Sequence, residues 1–268
     1  MNQTHQTRAE MPKGSNKVLD RRNIENAYSS LLGLLHDNIS VLDVGCGSGA
    51  ITADIAVRTS GKVVGIDVSE HLIEIARTKY EYIPNLSFEV ANINDYVSPE
   101  KFGLVIAARA LQWVNNPAEV VQKMVDLNEI GGKISINDYN HTKIAWLPDP
   151  PQSMSAFYAA FLLWRADAGF DNEIADNLPK IYANMGLDFI KTIPQHEASL
   201  RGDADFEETA RIWSLVAETR GKQVVADGYC TEELRLQAIS EYDTWLANEA
   251  QSMTLYLLAV EGQISRKL

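Results

Sequence analysis

Between Val41 and Tyr139, short apolar runs alternate with segments of helical periodicity, and this alternation restricts the possible folds more than any other feature of the chain. Val41–Val44, Val63–Asp67, "LSFEVANI", "FGLVIAAR" and "GKISINDY" read as five strands. About Ala50–Thr59, "SEHLIEIARTKY" with Ser69 as its N-cap, and about Pro117–Ile130 read as the helices between them. Strands alternating with helices predict an α/β fold, a doubly wound and mostly parallel sheet. Such sheets bind ligands beyond the carboxyl ends of their strands. A leading helix over Val18–Asp37 carries Leu19, Ile24, Ala27, Tyr28, Leu31, Leu32 and Leu35 at helical spacing.

After Tyr139 the regularity changes. "SMSAFYAAFLLWRADAGF" predicts a helix that is apolar nearly all round, and "EIADNLPKIYANMG" a second one. "LDFIKTIPQHEASL" reads as a sixth strand and "SMTLYLLAVEG" as a seventh, with residues 203–250 helical between them. The expectation is one α/β domain over 18–268, bearing two helical cap insertions at about 143–168 and 203–250. Residues 1–17 are polar and read as a disordered tail.

A formal net charge of −12 and the absence of any basic run argue against nucleic acid or anionic lipid as partners. Two cysteines, Cys46 and Cys230, cannot build a disulfide framework, and no metal-ligand spacing is present. No apolar run is long enough to span a bilayer, and no signal peptide is legible. These features predict a cytoplasmic protein, monomer or homodimer, acting on a small molecule.

"VLDVGCGSGA" joins the first strand to the helix after it. Glycines there let backbone approach a ligand, with a helix N-terminus behind. Gly45-x-Gly47-x-x-Ala50 also satisfies a dinucleotide pattern, with Asp67 at ribose distance. Asp43 separates the two readings. A carboxylate repels a pyrophosphate, whereas S-adenosylmethionine brings a positive ammonium and a positive sulfonium. Alternatively, Asp43 only ties down the turn through backbone N–H groups.

"VLDVGCGSGAIT", "VVGIDVSEHLIEIAR", "FEVANINDY" and "FGLVIAARALQWV" together resemble the successive motifs of class I S-adenosylmethionine-dependent methyltransferases, over about Val18–Tyr139. The resemblance implies a Rossmann-like seven-stranded fold and S-adenosyl-L-methionine as cofactor. It places the methionine part on Gly45, Cys46, Gly47 and Gly49, and the ribose hydroxyls on Asp67. Val68 would pack on the adenine and Ile93 would offer its N–H to the ring. Asn92 stands where the family often has Asp, and its carbonyl oxygen can still accept from the adenine amino group. Ala108 and Arg109 would border the cofactor, Arg109 on the methionine carboxylate, with Tyr28 closing over the same end. For Arg109 a surface ion pair, and for Tyr28 a core position, stay open.

Methyl transfer is an in-line displacement needing proximity, water exclusion and, for some acceptors, a base. His141 is the base candidate, expected at the mouth of the site and titrating near neutral pH, with an exposed loop histidine as the alternative. Tyr139 could orient a substrate oxygen. Phe157, Tyr158 and Phe161 share a helical face expected to form an apolar roof over substrate or else to pack as core, with Trp113 and Trp146 as further walls. Arg165 would pair with a substrate carboxylate or phosphate, or form a surface pair. "ALQWV" is similar to a stretch of small-acid carboxyl methyltransferases, which tilts the reading toward oxygen. Carbon or nitrogen methylation, cyclisation and non-catalytic cofactor binding remain alternatives.

Overall fold

The computed structural model describes Arg8, Asp20 and residues 22–265. The described residues fall into two compact units. The first draws on Lys13–Tyr139, Glu173–Gln195 and Leu257–Leu268, and the second on Met1–Pro12, Asn140–Asn172 and His196–Tyr256.

The first unit is built on seven strands: β1 (Val41–Val44), β2 (Val63–Asp67), β3 (Leu86–Val90), β4 (Phe102–Ala108), β5 (Asn128–Tyr139), β7 (Asp188–Pro194) and β10 (Leu257–Gln263). Their order is β3-β2-β1-β4-β5-β10-β7. β1 to β5 are parallel, and β10 runs antiparallel to both β5 and β7. The mostly parallel sheet expected from the alternation is therefore present. Side chains alternate between its faces. Leu42, Val105, Ile134 and Ile136 enter one apolar cluster with Met124 and Leu178, while Val41, Leu104 and Ile106 enter another with Ile24, Tyr28 and Leu31.

The leading helix is shorter than its apolar spacing implied. It spans Ile24–Ala27, starts at an Asn23–Asn26 capping box, and breaks at Tyr28, where φ is −158°. A 3-10 turn, Ser29–Gly33, follows. Val18 and Leu19, where the helix was expected to begin, lie outside the described residues.

The second unit is helical but carries its own antiparallel sheet. β6 (Ala145–Leu147), β9 (Ser252–Leu255) and β8 (Glu197–Leu200) pair in the order β6-β9-β8. Helices Gln152–Asp167, Phe206–Ala210, Ile212–Glu218, Gly221–Ala226 and Glu232–Asn248 complete it. This corrects two expectations. The supposed sixth strand is two strands, β7 and β8, in different sheets, and the supposed final strand divides at Tyr256 into β9 and β10. An apolar run shows that a segment pairs, not that its partner changes midway.

Arg8 comes from the stretch read as a disordered tail. It is buried, with Nε 2.9 Å from the Asp227 carboxylate and its guanidinium against the rings of Trp164 and Tyr229. The other residues of 1–17 lie outside the described residues.

Candidate functional site

The chain leaves β1 through Gly45, Gly47 and Gly49, whose φ angles of 74°, 56° and 80° lie where side chains are strained. Packing adds a second constraint. A Cβ on Gly45 would come within 2.6 Å of the Ala110 Cβ, and one on Gly49 within 2.5 Å of the Phe88 ring. The Cys46 side chain turns inward against Phe88 and the backbone of Gly65, and burial pushes its thiol pKa up.

The loop amides are engaged within the protein. Gly45 and Cys46 donate to the Ile66 carbonyl at 2.8 and 3.0 Å, Gly49 donates to the Cys46 carbonyl at 3.0 Å, and Gly47 donates to Asp67 Oδ2 at 2.9 Å. A pyrophosphate site works by presenting free amides. Here four of the loop amides, those of Gly45, Cys46, Gly47 and Gly49, are already used, and an acid with an unmet acceptor stands beside them.

That acid is Asp43, in the middle of β1 and 2% exposed. Oδ2 accepts from Thr52 Oγ1 at 2.6 Å, while Oδ1 is buried without a partner. It does not tie down the turn through backbone N–H groups, the alternative raised from sequence. Burial raises its pKa to about 7; the Thr52 hydrogen bond opposes this and the like charge of Asp67 adds to it. Asp67, ending β2, accepts from Gly47 and through Oδ1 from the Ser69 amide at 2.9 Å. Burial raises its pKa too, against those backbone bonds. A buried carboxylate with an unmet acceptor, beside a second acid, fits a cationic ligand group and disfavours an anionic one.

The remaining cofactor candidates sit at neighbouring strand ends. Val68 is exposed, immediately after β2. Asn92 is half-buried past β3 and its Oδ1 accepts from the Asn94 amide at 3.0 Å, while Ile93 is buried in the core. Ala108 ends β4 opposite Asn137 of β5. Arg109 follows with a φ of 58°, buried, donating from Nε to the Tyr139 hydroxyl at 3.1 Å and from Nη2 to the Ala27 carbonyl at 3.1 Å. It is not on the surface, and it braces the leading segment against β5. Tyr28 is fully buried and donates to Ser135 Oγ at 2.8 Å, so its hydroxyl is directed at the sheet. Trp113 is half-buried in the 3-10 turn Leu111–Trp113.

The second unit holds the other candidates, which contact one another. His141 lies in a 3-10 turn, Thr142 beside it, and is 6% exposed. Its ring stands edge-on to Phe161 and Trp213, and the Tyr158 hydroxyl lies 3.3 Å from Nδ1 while donating to the His141 carbonyl at 2.7 Å. Burial, then the charge of Arg165, pulls its pKa well below the ordinary histidine value. His141 is thus neither an exposed loop histidine nor a group titrating near neutrality. Trp146 packs edge-on to Tyr158 at 5.5 Å and donates to the Tyr242 hydroxyl at 3.1 Å. Phe157 lies against Gly221, Phe161 stacks on Trp164, and Arg165 donates to Asn172 Oδ1 at 2.8 Å with its guanidinium over Phe170. The face expected to be a roof has these partners inside its own unit.

Sequence reasoning missed Thr52, Ser135, Asn137 and Asp20. Ser48 Oγ donates to Asp20 at 2.7 Å, and Asn137 Nδ2 donates to the Ala27 carbonyl at 2.9 Å, the same oxygen that Arg109 reaches. Ser135 and Asn137 carried a usable signal: polar residues alternating with Ile134 and Ile136 in a buried stretch of strand mark a face that must find partners. Among the described residues, no group of three or more His, Cys, Asp and Glu could hold a metal ion.

A family model described as a methyltransferase domain matches residues 35–184, more than half of the chain. Trans-aconitate 2-methyltransferase of Rhodopseudomonas palustris (strain BisB18) is 31% identical over 148 residues, covering 54% of this chain and 54% of that protein. Malonyl-[acyl-carrier protein] O-methyltransferase 1 of Ilyobacter polytropus is 28% identical over 103 residues, 38% of each chain. The chain thus spans about half, or less, of the length of these curated relatives. Among solved structures, a SAM-dependent methyltransferase from Thiobacillus denitrificans in complex with S-adenosyl-L-homocysteine shares the fold, with a TM-score of 0.55 at 20% identity over 94% of this chain and 98% of that one.

Proposed function

Because the chain belongs to the class I S-adenosylmethionine-dependent methyltransferase family, we propose that it transfers a methyl group from S-adenosyl-L-methionine to an oxygen of a small organic molecule, a carboxylate or a hydroxyl. The observation that carries the cofactor half of this reading is Asp43, a buried acid with an unmet acceptor beside a loop whose amides are engaged. The oxygen half rests on likeness to the trans-aconitate and malonyl-[acyl-carrier protein] enzymes.

When bound, the cofactor supplies a methyl group on a positively charged sulfur that leaves as a neutral thioether. Residues 45–49 would hold its methionine part, Asp43 would meet its positive charge, and Asp67 would accept from the ribose hydroxyls. Exposed Val68, with Asn92 and Ile93, would hold the adenine. Ala108 and Arg109 would border the cofactor, with Tyr28 fixing the segment behind them. The Tyr139 hydroxyl, held by the hydrogen bond it accepts from Arg109, would orient an acceptor oxygen. Trp113 is proposed to meet the acceptor's apolar part. A carboxylate is already a nucleophile at neutral pH, so for that acceptor the reaction requires no general base.

We place the protein in the cytoplasm, as a monomer or homodimer, acting on a small molecule and not on nucleic acid. The net charge of −12 supports this. Among the described residues no helix is long and apolar enough to cross a membrane.

The test is incubation with methyl-deuterated S-adenosylmethionine and panels of small carboxylic acids and phenols, read by mass spectrometry. A product heavier by one labelled methyl and cleaved by ester hydrolysis, or carrying an aryl ether, is expected. Labelling solely on carbon or nitrogen would overturn the oxygen assignment, and donor consumption without a methylated product would overturn methyl transfer.

A further inference from the structure

Asp43 is set in an arrangement that couples it to protons as well as to a ligand. It lies mid-strand in β1, registered against Gly65 of β2 and Ile106 of β4, so its backbone is held by the sheet on both sides. The groups that face it are few. The helix Ala50–Ala56 contributes the Thr52 hydroxyl, β2 contributes the Asp67 carboxylate, and the glycine loop contributes the half-buried Cys46 thiol. The leading segment contributes the Tyr28 phenol, which donates to Ser135. The charge that acts on Asp43 is that of Asp67, and it is of like sign. Its Oδ1 has no donor.

An ionised carboxylate in such a position is penalised twice, by lost hydration and by its neighbour. A cationic group brought to the carboxylate offsets both penalties by direct attraction. We propose that Asp43 carries a proton in the ligand-free protein and releases it when the positively charged end of the cofactor binds, so that cofactor affinity is linked to pH through this one residue. The proposal rests on the cofactor reading above. The proton moves from the Asp43 carboxyl to solvent, and the ligand's ammonium, which keeps its own proton at and below pH 7, takes over the neutralising role. Cofactor uptake would then weaken as the surrounding medium acidifies.

The pKa of about 7 set by burial and Asp67 fixes the range in which this is visible. The experiment is titration calorimetry of the full chain with S-adenosylhomocysteine, at each pH in two buffers of different ionisation enthalpy. Release of about half a proton is expected at pH 7, falling to about a tenth of a proton by pH 8, with affinity weakening by up to about tenfold for each pH unit below 7. In Asp43→Asn the release should vanish. Binding by the wild type with no proton exchange at pH 6–8 would overturn the linkage while leaving the cofactor reading intact. Release that persists in Asp43→Asn would overturn its assignment to Asp43. Absence of binding at every pH would overturn the cofactor reading and this proposal together.

Discussion

The Gly47 amide and the Asp67 carboxylate are joined by a hydrogen bond of 2.9 Å across twenty positions of sequence, which fastens the glycine loop to the end of β2. The same carboxylate receives the Ser69 amide at the start of the next helix. One side chain therefore sets the loop and the helix start.

Asp67→Ala removes both anchors and the proposed ribose acceptor. The expected loss in S-adenosylhomocysteine affinity is about 1–3 kcal/mol, the size of a hydrogen bond to a charged group left unmade. Isothermal calorimetry measures it. Unchanged affinity would take Asp67 out of the site.

Gly49→Ala is expected to destabilise the protein by about 2–4 kcal/mol, from backbone strain plus overpacking against Phe88. Gly186 is its control. It has a φ of 70°, and a methyl group placed on it would meet nothing within 4 Å, so Gly186→Ala should cost only about 1 kcal/mol. Urea unfolding of both variants separates the strain they share from the contact that Gly49 alone makes. Equal losses would mean that Phe88 yields.

Much of this arrangement was legible in the chain, and the parts that were not share a cause. The buried strands β1, β2 and β4 announce themselves because a central parallel strand is apolar on both faces. Gly45, Gly47, Gly49 and Asp67 form a local pattern that spacing reveals. Tyr256 and the Gln195–His196 step are different. At Tyr256 the chain passes from one sheet to another inside a continuous apolar run, and at Gln195–His196 it does so across a two-residue polar step too short to read as a turn, so two strands read as one. His141 failed for a related reason: a polar "NDYNHT" stretch reads as an open loop, and the aromatic rings that enclose it arrive from residues 158–213. Burial supplied by distant sequence leaves no mark on the local one.

Asp43→Asn should stabilise the ligand-free protein at pH 8. A carboxyl whose folded pKa is raised contributes its full stability below the unfolded value near 3.8, and that stability is lost as pH rises through about 7. The amide removes the ionisation. The gain over wild type should therefore be largest at pH 8 and shrink toward pH 4, as thermal midpoints across that range would record. A variant less stable than wild type at pH 8 would mean that the ionised carboxylate is compensated in the empty protein.

For His141 the sign is the opposite. Its folded pKa lies below the ordinary histidine value of 6.5, so the unfolded chain takes up the proton first, and stability is lost as pH falls below 6.5. The 2.7 Å bond from Tyr158 goes to the His141 carbonyl and survives a side-chain change. His141→Leu should therefore lose less stability than wild type between pH 7 and pH 5. Equal slopes in urea unfolding would show that the imidazole is not held neutral by its surroundings.

What the acidic, glycine-lined end of β1 binds is tested most directly by calorimetric titration of the full chain at pH 8 with S-adenosylhomocysteine and, separately, with NAD. Saturable binding of S-adenosylhomocysteine at one site, with no heat from NAD, is the predicted result. Binding of NAD, or silence from S-adenosylhomocysteine, would contradict it.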